Sequence, residues 1–282
     1  MNFKIIKSYA KINLSLGVIG RLKSGYHKIE SLVSFLNLYD EIKIKKINNK
    51  NHKIKIYGKF AKGIRRNNTI FNLLKILDKR KLLNNQKYLI NIKKNIPQKA
   101  GLGGGSMNAS SIIKLFISKK ILNFSKKDLV KLTNKIGSDV KLGLDNKNKI
   151  LHSNGNLSIS AKKKTLFVII IKPNFGCSTR EIYKNVKKYS PKKITKPKKN
   201  YFTLINLCKL QNDLEKVVFK KYPNLKKVKL YMESLPNICF VRMTGSGSSI
   251  VGYFLSKNST INAAKLFKKK YKNYWCITSK TI

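Results

Sequence analysis

Pro97-Gln-Lys-Ala-Gly-Leu-Gly-Gly-Gly-Ser-Met-Asn-Ala-Ser110 is the stretch on which the reading of this chain turns. It lies between an apolar run of strand character, Tyr88 to Ile92, and one of helical character, Ile112 to Ile117. Its glycines lift the Cβ restriction on φ and let the backbone approach a ligand closely. A loop of this kind opening a helix presents free N–H donors at the positive end of the helix dipole, which suits a polyphosphate. It has neither the Gly-Lys-Ser/Thr ending of a Walker loop nor the spacing of the dinucleotide fingerprint. The plainer alternative is a glycine-rich turn that binds nothing.

Upstream of the loop, Asn2 to Gly17, Ile42 to Lys46 and Lys53 to Tyr57 read as strands. The latter two alternate apolar and charged residues, as half-buried antiparallel strands do. Asn67-Asn68-Thr69 caps a helix with Ile70, Leu73, Leu74 and Leu77 on one face, and Tyr88 to Lys94 forms another strand. Downstream of the loop helix, Ser125 caps a further helix, with Asp128 three residues on and Gly137 closing it. Residues 149–171 read as strands ending in Leu166-Phe-Val-Ile-Ile-Ile171, and Tyr189 to Asn200, rich in lysine and proline, as an exposed loop. Helical patterns at about 212–221 and 224–234 precede a strand from Ile238 to Arg242, which enters Thr244-Gly-Ser-Gly-Ser248. A strand, a helix at about 259–271 and a last strand follow. Strands and helices mixed without a repeat predict an α+β protein. A boundary near Gly155 would divide it into residues 1–155 and 156–282.

With 282 residues, 42% of them hydrophobic, the chain can build a proper core, and no apolar run is long enough to span a membrane. The N-terminus reads as a charged strand rather than a signal peptide. Four scattered cysteines form no Cys-x-x-Cys pair, which argues against a zinc or redox motif and for a reducing cytoplasm. The net charge of +51 invites a nucleic-acid reading. Against a specific one, lysine far outnumbers arginine, the residue whose planar fork suits base and phosphate recognition. The lysines also run from Lys4 to Lys280 instead of forming one stripe.

Two more segments join the loop. In Ser8-Tyr-Ala-Lys-Ile-Asn-Leu14, Lys11 and Asn13 stand two apart on a strand and so share a face. Thr244-Gly-Ser-Gly-Ser248 is a second small-residue turn. In order and separation, the Ala-Lys-Ile-Asn segment, Pro97 to Ser110 and Thr244 to Ser248 resemble the three motifs of the GHMP small-molecule kinases, across nearly the whole chain. Ser24-Gly-Tyr-His27, Gly137-Ser-Asp-Val140 and Asn212-Asp-Leu-Glu215 narrow the resemblance to the branch acting on a cytidine diphosphate alcohol. The resemblance implies a two-domain GHMP kinase fold: an N-terminal ribosomal-protein-like α/β domain that binds ATP and carries catalysis, and a C-terminal ferredoxin-like domain completing the substrate cleft.

It also implies the activity: ATP-dependent phosphorylation of the 2-hydroxyl of 4-diphosphocytidyl-2-C-methyl-D-erythritol, in non-mevalonate isoprenoid synthesis. Pro97, Gly101, Leu102, Gly103, Gly104, Gly105, Ser106 and Met107 would wrap the nucleotide, with Gly245 and Gly247 completing the cradle and Asn68 and Lys94 at the adenine end. Asp139 would receive the hydroxyl proton while Lys11 offsets the charge on the transferring group. Asn13, Tyr26, His27 and Tyr183 would hold the substrate, the histidine reading a cytosine edge and the tyrosines stacking on its faces. Mg²⁺ would come with ATP, held by phosphates and water, as no acidic cluster marks a metal site. The implied partners are small molecules, with no specific nucleic acid and no membrane, and the chain would be a monomer or homodimer. Val140-Lys-Leu-Gly143 departs from this branch, which usually has a proline and an aromatic there, and Met107 stands where a second serine is common. The alternatives are a kinase of the same family for homoserine or mevalonate, and a basic RNA-associated protein.

Overall fold

A computed structural model describes residues 2–23, 25–160, 165–194 and 201–282. In chain order the elements begin with β1 (Lys4–Arg21), β2 (His27–Ile47), β3 (Lys53–Tyr57), α1 (Thr69–Lys79), β4 (Lys87–Lys93) and α2 (Gly104–Ser118). They continue with α3 (Lys126–Ile136), a 3₁₀ turn (Val140–Leu144), β5 (Lys149–Leu151), β6 (Leu157–Ile159) and β7 (Phe167–Lys172). The last are α4 (Thr179–Lys184), α5 (Leu204–Lys209), α6 (Leu214–Lys221), α7 (Pro223–Glu233), β8 (Phe240–Met243), β9 (Ile250–Phe254), α8 (Lys257–Lys270) and β10 (Trp275–Lys280). The chain is α+β, and it packs as two compact units. One comprises Met1–Lys11, Leu38–Gln98 and Gly103–Asn146; the other comprises Ile12–Asn37, Lys99–Leu102 and Lys147–Ile282. This division differs from a single cut near Gly155, because the long strands β1 and β2, and the glycine loop, each give residues to both units.

In the first unit, β4 runs antiparallel to β2, with Ile42 opposite Ile92 and Ile44 opposite Ile90, and parallel to β3. That register gathers the isoleucines into a core with Ile70, Leu73, Leu74 and Leu77 of α1 and Ile112, Ile113 and Phe116 of α2. Each aliphatic side chain so buried stabilises the unit by roughly 1.5–3 kcal/mol. Asn68 caps α1 by accepting from the N–H groups of Ile70 and Phe71, and Ser125 caps α3 through the N–H of Asp128.

In the second unit, antiparallel strands lie in the order β10-β7-β9-β8. Helices α4 to α7 intervene between β7 and β8, and α8 between β9 and β10. This βαββαβ order is that of a ferredoxin-like sheet. Its core joins Ile169, Ile171, Val241 and Ile250 to Val218, Leu225, Val228 and Phe267 from the helices.

Sequence periodicity located β3, β4, α1, α3, α7 and α8 to within a few residues. It understated β2, which runs 21 residues from His27. Leu32 to Leu36 are all buried, so that stretch shows none of the alternation of a half-buried strand. The six-residue helices α4 and α5 escaped because they are too short for a period to develop. Tyr189 to Ile194 have no regular structure, yet Ile194 is buried; residues 195–200 of the expected loop lie outside the described residues.

Candidate active site

The first unit brings Lys11, the end of the glycine loop and Asp139 together. Lys11 is buried on β1, and its Nζ lies 3.2 Å from Asp139 Oδ2. The Asp139 side chain keeps 35% of its exposure, so an acceptor group can reach the carboxylate while the ammonium stays enclosed. Gly103 caps α2 in the left-handed region (φ 69°), and a Cβ there would sit 2.7 Å from Lys11 Cγ. The loop and the lysine therefore pack as closely as glycine permits. α2 begins at Gly104, so the N–H groups of its first turn are the free donors of a helix start.

Asp139 is held from below. The N–H of Val140 donates to Gly137 O and that of Leu142 to Asp139 O, forming the 3₁₀ turn. Ser110 Oγ of α2 donates to Val140 O, and Gly143 lies so close to Met107 and Ser110 that a Cβ would approach each within 2.8 Å. Val140-Lys-Leu-Gly143, the unusual segment, thus forms a turn anchored on α2 that leaves Asp139 beside Lys11. Burial lowers the pKa of Lys141, and the neighbouring Asp139 charge opposes that shift, placing a second ammonium in the field of the carboxylate. The Met107 side chain is packed inward, and its N–H donates to Gly103 O.

Beneath the helix start lies a group that the motifs did not reveal. Asp40 of β2 is fully buried and pairs with Lys94 Nζ. It also accepts from the N–H groups of Asn95 (2.8 Å) and Ile96 (2.9 Å) and from Asn108 Nδ2 of α2 (3.0 Å). Lys94 Nζ and Ile96 Cγ2 each lie 3.1 Å from where a Cβ on Gly104 would be. Pro97 is buried just beyond. Gly105 faces Thr69, with Thr69 Oγ1 at 3.1 Å from a Cβ there, and Ser106 Oγ lies near Gly137. Asn68 is committed to its cap, its amide donating to the carbonyls of Arg65 and Arg66.

In the second unit the first half of the loop packs on the Thr244 turn. Gly101 has φ +72°, and a Cβ there would lie 2.0 Å from Thr244 O. Thr244 Oγ1 donates to Gly101 O and accepts from the N–H of Asn13, while the N–H groups of Ser248 and Ser249 donate to Lys99 O and Ala100 O. Leu102 is buried. Asn13 Oδ1 lies 3.6 Å from where a Cβ on Gly245 would be, and its amide donates to Ser31 Oγ. Gly247 has φ +81° and abuts Met243 and Cys177. Asn212 Nδ2 donates to the carbonyls of Met243 and Gly245, and Glu215 accepts from the N–H of Met243. Asn212 and Glu215 thereby brace the turn.

His27 lies 5.1 Å from the ring of Tyr183, tilted by 39°, and 6.4 Å from that of Tyr189. Burial, aided by Arg21, lowers the His27 pKa and keeps the imidazole neutral at pH 7. Tyr26 is 73% exposed, and Ser24 lies outside the described residues. Asp40, Thr244, Ser110 and Tyr189 were given no site role from the sequence. Only the fixed spacing of Thr244 before its glycines could have signalled one of them. Among the described residues, no group of three or more His, Cys, Asp or Glu side chains could hold a metal ion, and no helix is long and apolar enough to cross a membrane.

A glycine-capped helix start beside a buried lysine paired with a half-exposed carboxylate, with a ferredoxin-like sheet in the same chain, suits a small-molecule kinase. Residues 68–147 match the GHMP kinases N terminal domain and residues 202–273 the GHMP kinases C terminal domain; the chain belongs to the GHMP kinase family. It is 52% identical over its full length, and over the full length of the relative, to 4-diphosphocytidyl-2-C-methyl-D-erythritol kinase of Pelagibacter ubique. The kinase of the same name from Clostridium botulinum is 33% identical over 94% of this chain and 96% of its own. A crystal structure of 4-(cytidine 5'-diphospho)-2C-methyl-D-erythritol kinase shares the fold with a TM-score of 0.77 at 23% identity, covering 98% of this chain and 99% of that one.

Proposed function

We propose that this protein transfers the terminal phosphoryl group of ATP to the 2-hydroxyl of 4-diphosphocytidyl-2-C-methyl-D-erythritol, in isoprenoid precursor synthesis. The full-length identity to a kinase of that name supports the substrate. The observation that carries the chemistry is the 3.2 Å pair of Lys11 and Asp139 against the glycine start of α2. Phosphoryl transfer asks for alignment and neutralised charge more than for covalent catalysis. Asp139 takes the proton as the substrate oxygen forms its bond to phosphorus and the bond to ADP breaks. Lys11 and the N–H groups of Gly103, Gly104, Gly105 and Ser106 offset the negative charge on the phosphoryl oxygens. Gly101, Gly245 and Gly247, in the second unit, are assigned to the nucleotide as well. Pro97, Leu102 and Met107 support the loop, and Asn68, spent on the α1 cap, and Lys94, buried against Asp40, frame the helix start instead of meeting adenine. Asn13, Tyr26, His27 and Tyr183 hold the cytidine substrate. Residues 1–155 thus carry most of the nucleotide and catalytic groups, while 156–282 supply Tyr183, Gly245 and Gly247. Magnesium would accompany ATP and help neutralise its phosphates, since no acidic cluster among the described residues offers it ligands. A cytoplasmic setting, where thiols stay reduced, suits this reading.

The test is a transfer assay with ATP and the cytidine diphosphate alcohol beside homoserine and mevalonate. Turnover of the cytidine substrate at least a hundredfold above the other two is expected. Equal or greater turnover of homoserine or mevalonate would overturn the assignment.

A further inference from the structure

Tyr189 to Ile194 carry enough lysine to read as a solvated loop, but the chain is pinned at both ends of that stretch. The N–H of Ser190 donates to Val18 O at 2.9 Å. The N–H of Lys193 donates to Glu30 Oε1 at 2.6 Å, and that of Ile194 reaches both Glu30 oxygens, at 3.3 and 3.2 Å. Glu30, on β2 three residues from His27, is buried with this work as its evident use. Gly17 makes room for it, since a Cβ there would stand 3.1 Å from Glu30 Cγ. A buried carboxylate that accepts backbone N–H groups forms strong, charge-assisted bonds and fixes what it holds. What it holds here is the segment whose first residue, Tyr189, sets its ring against His27 while remaining 48% exposed.

We propose that Tyr189 is a specificity-determining residue for the nucleobase of the substrate and that Glu30 is the residue that positions it. An imidazole flanked by two tyrosine rings has a fixed plane, and the direction of its hydrogen bonds follows that plane. An open aromatic face beside it is a surface on which a base can stack. An incidental surface tyrosine would need no buried glutamate to fasten the next five residues. This inference rests on the kinase reading above, since it supposes that the pyrimidine lies at His27.

The experiment uses the full chain and the variants Tyr189→Ala, Tyr189→Phe and Glu30→Gln. KM for ATP and for the cytidine alcohol are measured separately, with cytidine 5′-monophosphate binding by calorimetry. Tyr189→Ala should raise KM for the alcohol about tenfold and weaken cytidine monophosphate binding alike, the loss of one stacking partner. Its kcat and KM for ATP should stay within about twofold, and Tyr189→Phe should behave as wild type. Glu30→Gln should repeat the Tyr189→Ala pattern, because an amide cannot accept through both of its terminal atoms. Unchanged KM and cytidine monophosphate affinity in Tyr189→Ala would overturn the proposal, as would a parallel rise in both KM values. A wild-type chain inert toward the cytidine alcohol but active on another alcohol would instead overturn the substrate assignment itself.

Discussion

In the proposed reaction Lys11 and Asp139 divide the work by exposure as much as by charge. The lysine side chain is 5% exposed and cannot swing away, whereas the aspartate faces outward enough to meet an acceptor hydroxyl. Asp139→Asn keeps the shape but removes the ability to take a proton. We expect kcat to fall by about 10²–10⁴-fold with the melting temperature little changed. Lys11→Ala should cost a comparable factor through lost charge stabilisation, with a lower melting temperature from the cavity left under Gly103. Steady-state kinetics and calorimetry on both variants check this; near-normal kcat in Asp139→Asn would remove the carboxylate from the proton transfer. The nearness of these two residues was legible because motif spacing carries them. Asp40 was not, because a lone aspartate among the apolar residues of β2 looks like any strand end until α2 and the chain after β4 fold onto it.

At the scale of elements, Asp40 ties β2, the Lys94–Ile96 segment and α2 into one hydrogen-bonded group. Breaking a buried pair strands the partner charge, and here that charge is an ammonium beside the positive end of a helix. Asp40→Asn should therefore destabilise the protein by about 3 kcal/mol in urea unfolding, whereas removing the exposed Asp128–Lys131 pair should have a far smaller effect. A second element-level effect depends on pH. His52 Nδ1 accepts from the N–H of Tyr88 at the start of β4, and Nε2 faces Asp78 Oδ2 at 3.2 Å. Burial lowers the His52 pKa below its ordinary 6.5 and outweighs the opposing pull of Asp78. The unfolded chain then binds the proton more readily than the folded one. The stability that neutral His52 contributes is complete above about pH 6.5 and declines as pH falls below it. Melting temperatures from pH 7.5 to 5.5 should fall less steeply in His52→Gln than in wild type; parallel slopes would exclude His52 as the source. The helices longer than six residues were largely legible from periodicity. β2 was not, because burial on both faces erases the alternation that marks a strand.

At the scale of the molecule, charge is the unusual quantity: 62 basic residues face 11 acidic ones. Five of those acids are put to geometric use. Asp40 and Glu30 bind backbone N–H groups in buried positions, Asp213 accepts from Val18, Glu215 braces Met243, and Asp139 meets Lys11. Little negative charge is left to pair with the lysines spread along the chain, so folding concentrates a nearly one-signed charge. Self-repulsion of that kind opposes the compact state. It acts over the Debye length, about 30 Å at 0.01 M salt and about 8 Å at 0.15 M, so moderate salt should suppress most of it. We expect the melting temperature to climb as KCl rises from 10 to 200 mM, by about 2–4 °C for each kcal/mol of repulsion relieved. Chloride is the right anion, because phosphate or sulfate would also bind the glycine loop or strengthen apolar burial and raise the melting temperature by another route. The same screening should abolish any loose attraction to RNA, with affinity falling steeply across that range. A melting temperature that stays level or drops with KCl would mean that attractive pairs, not repulsion, dominate the field of this chain.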